Sequence, residues 1–274
     1  IFLTETAELA DVVLPGASFA EKDGTFSGTD RRVQRVRKAV EPIGNSMPDW
    51  LILSKLISSM GYPSDYKSPE EIFNEIRTVT PSYAGITYGR IENEVISWPC
   101  PTEDHKGTPI LHIGKFSRGL GKFSAIEHRD PAEMPDKEYP LMLTTGRVVA
   151  HYHTGTMTRR CWGLNGTHPE ESIEINPVDA AKLNIEDGDE VSVTTRRGSL
   201  ITKAQVTTRV PEGLTFITFH FTENPGNILT NSAADPITHT PEYKVCSVNV
   251  KKLDFSDFGC QKRKIFKKET QNAV

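Results

Sequence analysis

The densest concentration of chemically capable side chains runs from Thr144 to Arg160. It reads Thr144-Thr145-Gly146-Arg147-Val148-Val149-Ala150-His151-Tyr152-His153-Thr154-Gly155-Thr156-Met157-Thr158-Arg159-Arg160. The stretch holds five Thr, two Gly, two His and three Arg and no acidic residue. Hydroxyls, backbone N–H groups left open at Gly and guanidinium forks are what a diphosphate or a polar heterocycle needs. An ordinary surface loop has no obvious reason to be so rich in donors and free of acids, so ligand binding is the preferred reading. His151-x-His153 would put two imidazoles on one face of a strand, half of a metal site. No Cys, Asp or Glu stands close in sequence to complete it, so hydrogen-bonding histidines are expected and no metal ligand is assigned.

Two further stretches are candidates. His220-Phe221-Thr222-Glu223-Asn224-Pro225-Gly226-Asn227 follows a strand and continues to Asn231. An Asn side chain both donates and accepts, so it can read a heterocycle edge. Turn chemistry explains the same Asn and Gly equally well. Asp235-Pro236 through Pro241-Glu242-Tyr243-Lys244 ends in a Lys that could neutralise a phosphate, although a solvated Lys at a strand start is the simpler reading. No nucleophile–base pairing, Walker loop or H-E-x-x-H motif occurs. No catalytic residue is assigned.

The elements that must position these residues are uneven along the chain. Residues 5–10 are helix-compatible, and Ile1 to Thr4 and Asp11 to Leu14 read as buried strand. Glu21-Lys22-Asp23-Gly24 turns into Arg-rich strands through Val40. Pro48-Asp49 opens a helix with Trp50, Leu53, Leu56, Ile57 and Met60 on one face, stopped by Gly61. Ser68-Pro69-Glu70-Glu71 caps another, with Ile72, Phe73 and Ile76 facing inward. Residues 78–138 read as a long irregular connection, with one strand near Ile110 to Ile113, packed against something outside the chain. From Tyr139 the pattern is β. Strands are expected at 141–145, 190–196, 200–206, 214–219 and 243–250, with a short helix capped by Asn176-Pro177. Counted as six short strands in all, with these five bounded, they suggest a compact six-stranded barrel.

Composition narrows the class. The 274 residues carry 32 Lys plus Arg against 36 Asp plus Glu, a net charge of −4, so a polyphosphate-tracking surface is not the default. Nucleic acid is not expected as a partner, and Lys262 to Lys268 reads as a solvated basic tail. Hydrophobic residues at 36% fit a globular chain, and no apolar run approaches a membrane span. The four cysteines form no C-x-x-C, which leaves a zinc knuckle, an iron–sulfur cluster and a disulfide scaffold poorly supported. With no initiator Met and a strand-like first residue, the chain is expected to be a piece of a larger polypeptide.

Four groups of motifs carry a resemblance. They are Ala10-Asp11-Val12-Val13-Leu14-Pro15 with Glu21-Lys22-Asp23-Gly24-Thr25-Phe26 and Arg31-Arg32-Val33-Gln34-Arg35; Gly146-Arg147 with His151 to Thr158; Asn176-Pro177, Asp187-Gly188-Asp189 and Arg197-Gly198; and Asn227-x-Leu229-Thr230 with Asp235-Pro236 and Pro241 to Lys244. Together they resemble the C-terminal part of the large subunit of formate dehydrogenases, in the dimethyl sulfoxide reductase family of molybdopterin oxidoreductases. Periplasmic-type nitrate reductases look similar here.

The resemblance implies an α/β portion over residues 1–60, a helix plus irregular connection over 61–138, a double-psi β-barrel over 139–254, and a basic tail over 255–274. It implies binding of molybdopterin guanine dinucleotide by Thr145, Gly146, Arg147, His151, His153, Thr154, Gly155, Thr156, Met157 and Thr158, with His220, Asn227, Tyr243 and Lys244 approaching the pterin. Molybdenum or tungsten and a 4Fe-4S cluster would be held upstream in the same subunit, with iron–sulfur electron-transfer subunits and formate or carbon dioxide as partners. The implied setting is cytoplasmic and anaerobic. This chain alone is expected to be inactive. The rivals are another oxidoreductase of the family, such as a nitrate reductase, and a non-catalytic barrel that binds without reacting.

Overall fold

The computed structural model describes residues 1–253, in two units, one of residues 1–124 and one from residue 125 onward. The expected tail 255–274 lies outside the described residues.

In the first unit, α1 (Glu5–Glu8) begins at Thr4, whose hydroxyl accepts the Ala7 N–H at 3.3 Å. β1 (Gly24–Ser27), β2 (Arg32–Val36) and β3 (Ile96–Ser97) form a three-stranded antiparallel sheet. α2 (Asp49–Ser59) and α3 (Pro69–Val79) follow β2. At α3 the Ser68 hydroxyl accepts the Glu71 N–H, and Glu71 reaches back to the Lys67 N–H at 2.6 Å. The cap read in the sequence is therefore present, reaching one residue further out. α4 (Tyr88–Ile91) completes the unit. Val33, Phe73, Ile86, Tyr88, Ile91, Ile96 and Cys100 form its core. Part of the supposedly irregular connection thus supplies most of a core.

Several expectations for this unit fail. Ile1 to Thr4 and Asp11 to Leu14 are not strands, and Leu3, Val12 and Leu14 are exposed. Extended chain becomes a strand only when it joins a ladder, and no ladder among the described residues includes these segments. β2 stops at Val36. The face of α2 expected to be buried is open, with Leu53 at 55% and Met60 at 72% exposure. Ile76 of α3 is also exposed. Ile110 to Ile113 forms turns and bends rather than a strand, with Ile110 and Ile113 exposed.

The second unit is the closed six-stranded barrel that was expected. Its strands are β4 (Leu141–Gly146), β5 (Ser172–Ile175), β6 (Glu190–Thr194), β7 (Ser199–Val206), β8 (Leu214–Thr218) and β9 (Cys246–Lys252). They close in the order β4-β8-β5-β7-β6-β9. The β4–β8 and β5–β7 pairs are parallel and the others antiparallel. β5 is the strand that sequence reading did not bound, and the last strand starts at Cys246, not Tyr243. Two short helices, α5 (Trp162–Thr167) and α6 (Pro177–Lys182), lie in the connections. Alternate residues point inward, so Leu143, Ile173, Ile175, Val191, Val193, Ile217, Val248 and Val250 are buried together. Burying each such side chain contributes about 1.5–3 kcal/mol.

Candidate functional site

The parallel β4–β8 pair ends at Gly146 opposite Thr218, and both strands release their chains at the same end of the barrel. Gly146 is needed there because the Phe216 ring occupies the space a Cβ would take. Residues 147–160 then form a loop rather than the strand expected for the two histidines.

Its shape is set by side chains pointing inward. His220 is fully buried. Its Nδ1–H donates to the His153 carbonyl, and its Nε2 accepts the Val148 N–H at 3.0 Å. Burial holds its pKa below the usual histidine value, so the ring is neutral. His151 is buried as well, with Nε2–H donating to the His168 carbonyl at 2.6 Å. Its Nδ1 accepts from the Thr158 hydroxyl at 3.2 Å, and that hydroxyl in turn accepts the Tyr152 N–H. His151 and His220, both expected as ligand contacts, are here held inside the loop as supports. Both ring nitrogens of each are already used. Thr158 is turned the same way.

Other residues stay available. Arg147 is exposed, and its guanidinium faces the Tyr152 and Phe219 rings at 5.8 and 5.7 Å and meets no carboxylate among the described residues. Lys244 donates to the Thr145 carbonyl at 2.6 Å and lies 5.1 Å from the Tyr243 ring centroid, which leaves two ammonium protons for a ligand. Thr145 itself is buried, its hydroxyl donating to the Tyr243 carbonyl at 3.1 Å. These reciprocal bonds lock the Lys244 segment to the end of β4. His153, at φ +48°, and Thr154 are exposed, and the Thr154 and Thr156 hydroxyls stand 3.2 Å apart. Gly155, at φ +71°, turns where Arg159 and the His220 carbonyl leave no room for a Cβ. Met157 is half exposed. Asn227 is exposed on the 3-10 turn Gly226–Leu229.

Sequence reading missed the supports beneath this rim. Glu171 is buried, accepting the Thr218 hydroxyl at 2.6 Å and the N–H groups of Thr218 and Ser172. Burial pushes its carboxyl up. Nothing in the pair Glu170-Glu171 marks the second as the buried one. Glu223 pairs with Arg159, whose guanidinium lies over Phe221 at 4.7 Å. Glu133, from the connection that had no functional reading, accepts from Arg196, Arg197 and the Ser247 N–H. Arg197 also donates to the Leu229 carbonyl at 2.9 Å, tying the Asn227 turn to the barrel. Burial opposes ionisation of Glu133, but the Arg197 and Ser247 bonds outweigh it and hold its carboxyl below the usual range.

The donor set left at the rim fits an anionic, hydrogen-bonding group. It has two cations without competing acids, paired hydroxyls and a glycine turn on a rigid base. Among the described residues no cluster of three or more His, Cys, Asp or Glu could hold a metal, and no helix is long and apolar enough to cross a membrane.

Comparison with known proteins agrees with the division into two units. Residues 1–59 match the family described as "Molybdopterin oxidoreductase". Residues 141–247 match "Molydopterin dinucleotide binding domain". The chain is 54% identical over 257 residues to the F420-dependent formate dehydrogenase subunit alpha of Methanocaldococcus jannaschii, covering 92% of this chain and 38% of that protein. It is 38% identical over 263 residues to the assimilatory nitrate reductase catalytic subunit of Bacillus subtilis, covering 91% of this chain and 37% of that protein. Acetylene hydratase from Pelobacter acetylenicus shares the fold, at a TM-score of 0.67 and 18% identity over 92% of this chain and 39% of its own. The chain thus spans under two fifths of each of these three proteins. With the two family matches in chain order and a barrel rim suited to such a cofactor, the chain belongs to the molybdopterin oxidoreductase family.

Proposed function

We propose that this chain is the C-terminal part of a formate dehydrogenase catalytic subunit, and that its barrel rim binds molybdopterin guanine dinucleotide. The observation that carries the ligand reading is that two exposed cations belong to the end of β4, Arg147 just after the strand and Lys244 bonded to the Thr145 carbonyl, and that neither meets a carboxylate among the described residues. In this reading Arg147, Thr154 and Thr156 meet the diphosphate. Lys244 and Asn227 approach the pterin, with His153, Gly155, Met157 and Tyr243 lining the approach. Thr145, His151, Thr158 and His220 act from behind. The bound group, with molybdenum or tungsten ligated outside this stretch, supplies the two-electron chemistry that interconverts formate and carbon dioxide. This chain's residues bind and orient it. In this reading a 4Fe-4S cluster held outside this stretch, with iron–sulfur partner subunits, would supply the onward electron transfer. Identity of 54% to a formate dehydrogenase, against 38% to a nitrate reductase, favours formate as substrate.

The test is to purify the full-length protein from its source and assay formate-dependent and nitrate-dependent electron transfer, together with metal and released guanine nucleotide. Formate turnover with guanine nucleotide supports the reading. Nitrate turnover, or a preparation that releases neither pterin nor nucleotide, contradicts it.

A further inference from the structure

The buried polar groups behind the rim form one connected support. Glu171 lies just before β5, and its carboxylate takes both the hydroxyl and the N–H of Thr218, the last residue of β8. The Thr218 hydroxyl accepts the His220 N–H at 3.5 Å. The His220 ring then reaches Val148 at the start of the rim loop and His153 five residues later. One ring nitrogen must donate and the other must accept for both contacts to exist, which selects the neutral Nδ1–H form. We propose that His220, seated on Thr218 and Glu171, is a positioning residue: as a neutral clasp it fixes the curve of residues 148–153, and so the placement of Arg147, Thr154 and Thr156 toward the anionic ligand. The ligand-facing half of this statement rests on the function proposed above. The clasp does not.

Protonation would undo the clasp. Nε2 would become a donor facing the Val148 N–H, and two donors cannot bond each other. The groups around the ring argue for neutrality. Arg147 and His153 come from the loop, His151 packs against the ring at 5.7 Å between centroids, and His168 lies behind His151. Arg159 is already neutralised by Glu223, and Glu171 reaches His220 only through Thr218. Burial, first, and the neighbouring cations lower the His220 pKa, while the bond to His153 opposes them. A group whose folded pKa is lowered contributes fully above the unfolded value of about 6.5 and progressively less as pH falls below it toward the folded value. The clasp therefore weakens on acidification.

Two variants of the full-length protein test this, read by hydrogen exchange of the Val148 segment and by guanine nucleotide retained through gel filtration. His220→Gln keeps one donor and one acceptor at about the imidazole spacing and takes up no proton. His220→Phe fills the volume without polar atoms. The Phe variant is expected to lose about tenfold in Val148 protection, the worth of one buried hydrogen bond, and to retain less nucleotide. The Gln variant is expected to stay close to wild type at neutral pH, and to keep its protection as pH falls below about 6.5, where wild type progressively loses it. Wild-type protection in the Phe variant overturns the clasp. So does a Gln variant that loses protection on acidification in step with wild type, and this arm stands even where the Phe variant does not fold. A wild-type protein that shows the expected exchange but releases no nucleotide supports the clasp and overturns the ligand reading instead.

Discussion

The two units solve the burial problem differently. The barrel closes on itself, and its core includes fifteen buried residues, twelve of them from the six strands. The unit of residues 1–124 has a core of seven. It leaves Leu53, Leu56 and Ile57 of α2, with Met60 at its C-cap, in the open, and an accessible cavity of about 260 Å³ lies between β1, α2 and α3. A closed sheet has no unpaired edge and supplies both walls of its own core. A three-stranded sheet with two helices does neither. The donor-rich loop stands on the self-sufficient unit, and a rigid base is what holds donors in place to a fraction of an ångström.

Core truncation should separate the units most widely. Leu143→Ala, in the barrel, should cost about 3 kcal/mol, and Leu56→Ala, on the open face of α2, less than about 0.5 kcal/mol. Urea unfolding of the 274-residue chain measures both, and equal losses would erase the distinction. Next in size is the buried carboxyl. Glu171→Ala should cost about 2 kcal/mol by stranding the Thr218 and Ser172 donors, and Glu171→Gln clearly less. Because burial raises the Glu171 pKa, its ionised form is increasingly costly as pH climbs from the ordinary value of 4.5 through the folded one. The Gln variant should therefore gain on wild type with rising pH, and a deficit that widens instead would contradict the assignment.

Glu133→Gln should cost about 1–2 kcal/mol at neutral pH, since it weakens charge-assisted bonds to two arginines. Its folded pKa is lowered, so this contribution is complete above the unfolded value of 4.5 and disappears as pH falls through the folded one. A cost that persists at pH 3 would rule out the ionic explanation. The smallest effect is at Arg159–Glu223, where the carboxylate side chain is 53% exposed. Glu223→Gln should cost about 0.5 kcal/mol and lose its effect in high salt, and a larger, salt-insensitive cost would mean the pair is not a surface one.

What could be read in the sequence follows the same line. The barrel strands alternate between apolar and polar residues, so β4, β6, β7 and β8 are visible locally. β5 is the exception because Ser-Ile-Glu-Ile is short and its buried glutamate imitates a surface position. The α2 helix is legible, but its burial is not, since amphipathicity states what a helix could cover and not what covers it. At the rim, the residue types at 145–158 identify the loop as donor-rich. They do not tell inward from outward, and so the hold of His151 and His220 on the loop is not legible from them. Both directions depend on partners far away in sequence, Val148 with His220 and His151 with His168. Glu133 was invisible for the same reason, because its arginines lie about sixty residues on.

The central claim is that this rim holds the anionic cofactor through Arg147 and Lys244. It is tested most directly by guanine nucleotide released from the full-length protein and from its Arg147→Ala/Lys244→Ala double variant, each after dilution and gel filtration. Losing two charge-assisted contacts should weaken retention about tenfold or more, with the fold intact by thermal unfolding. A double variant that keeps as much nucleotide as wild type would contradict the account.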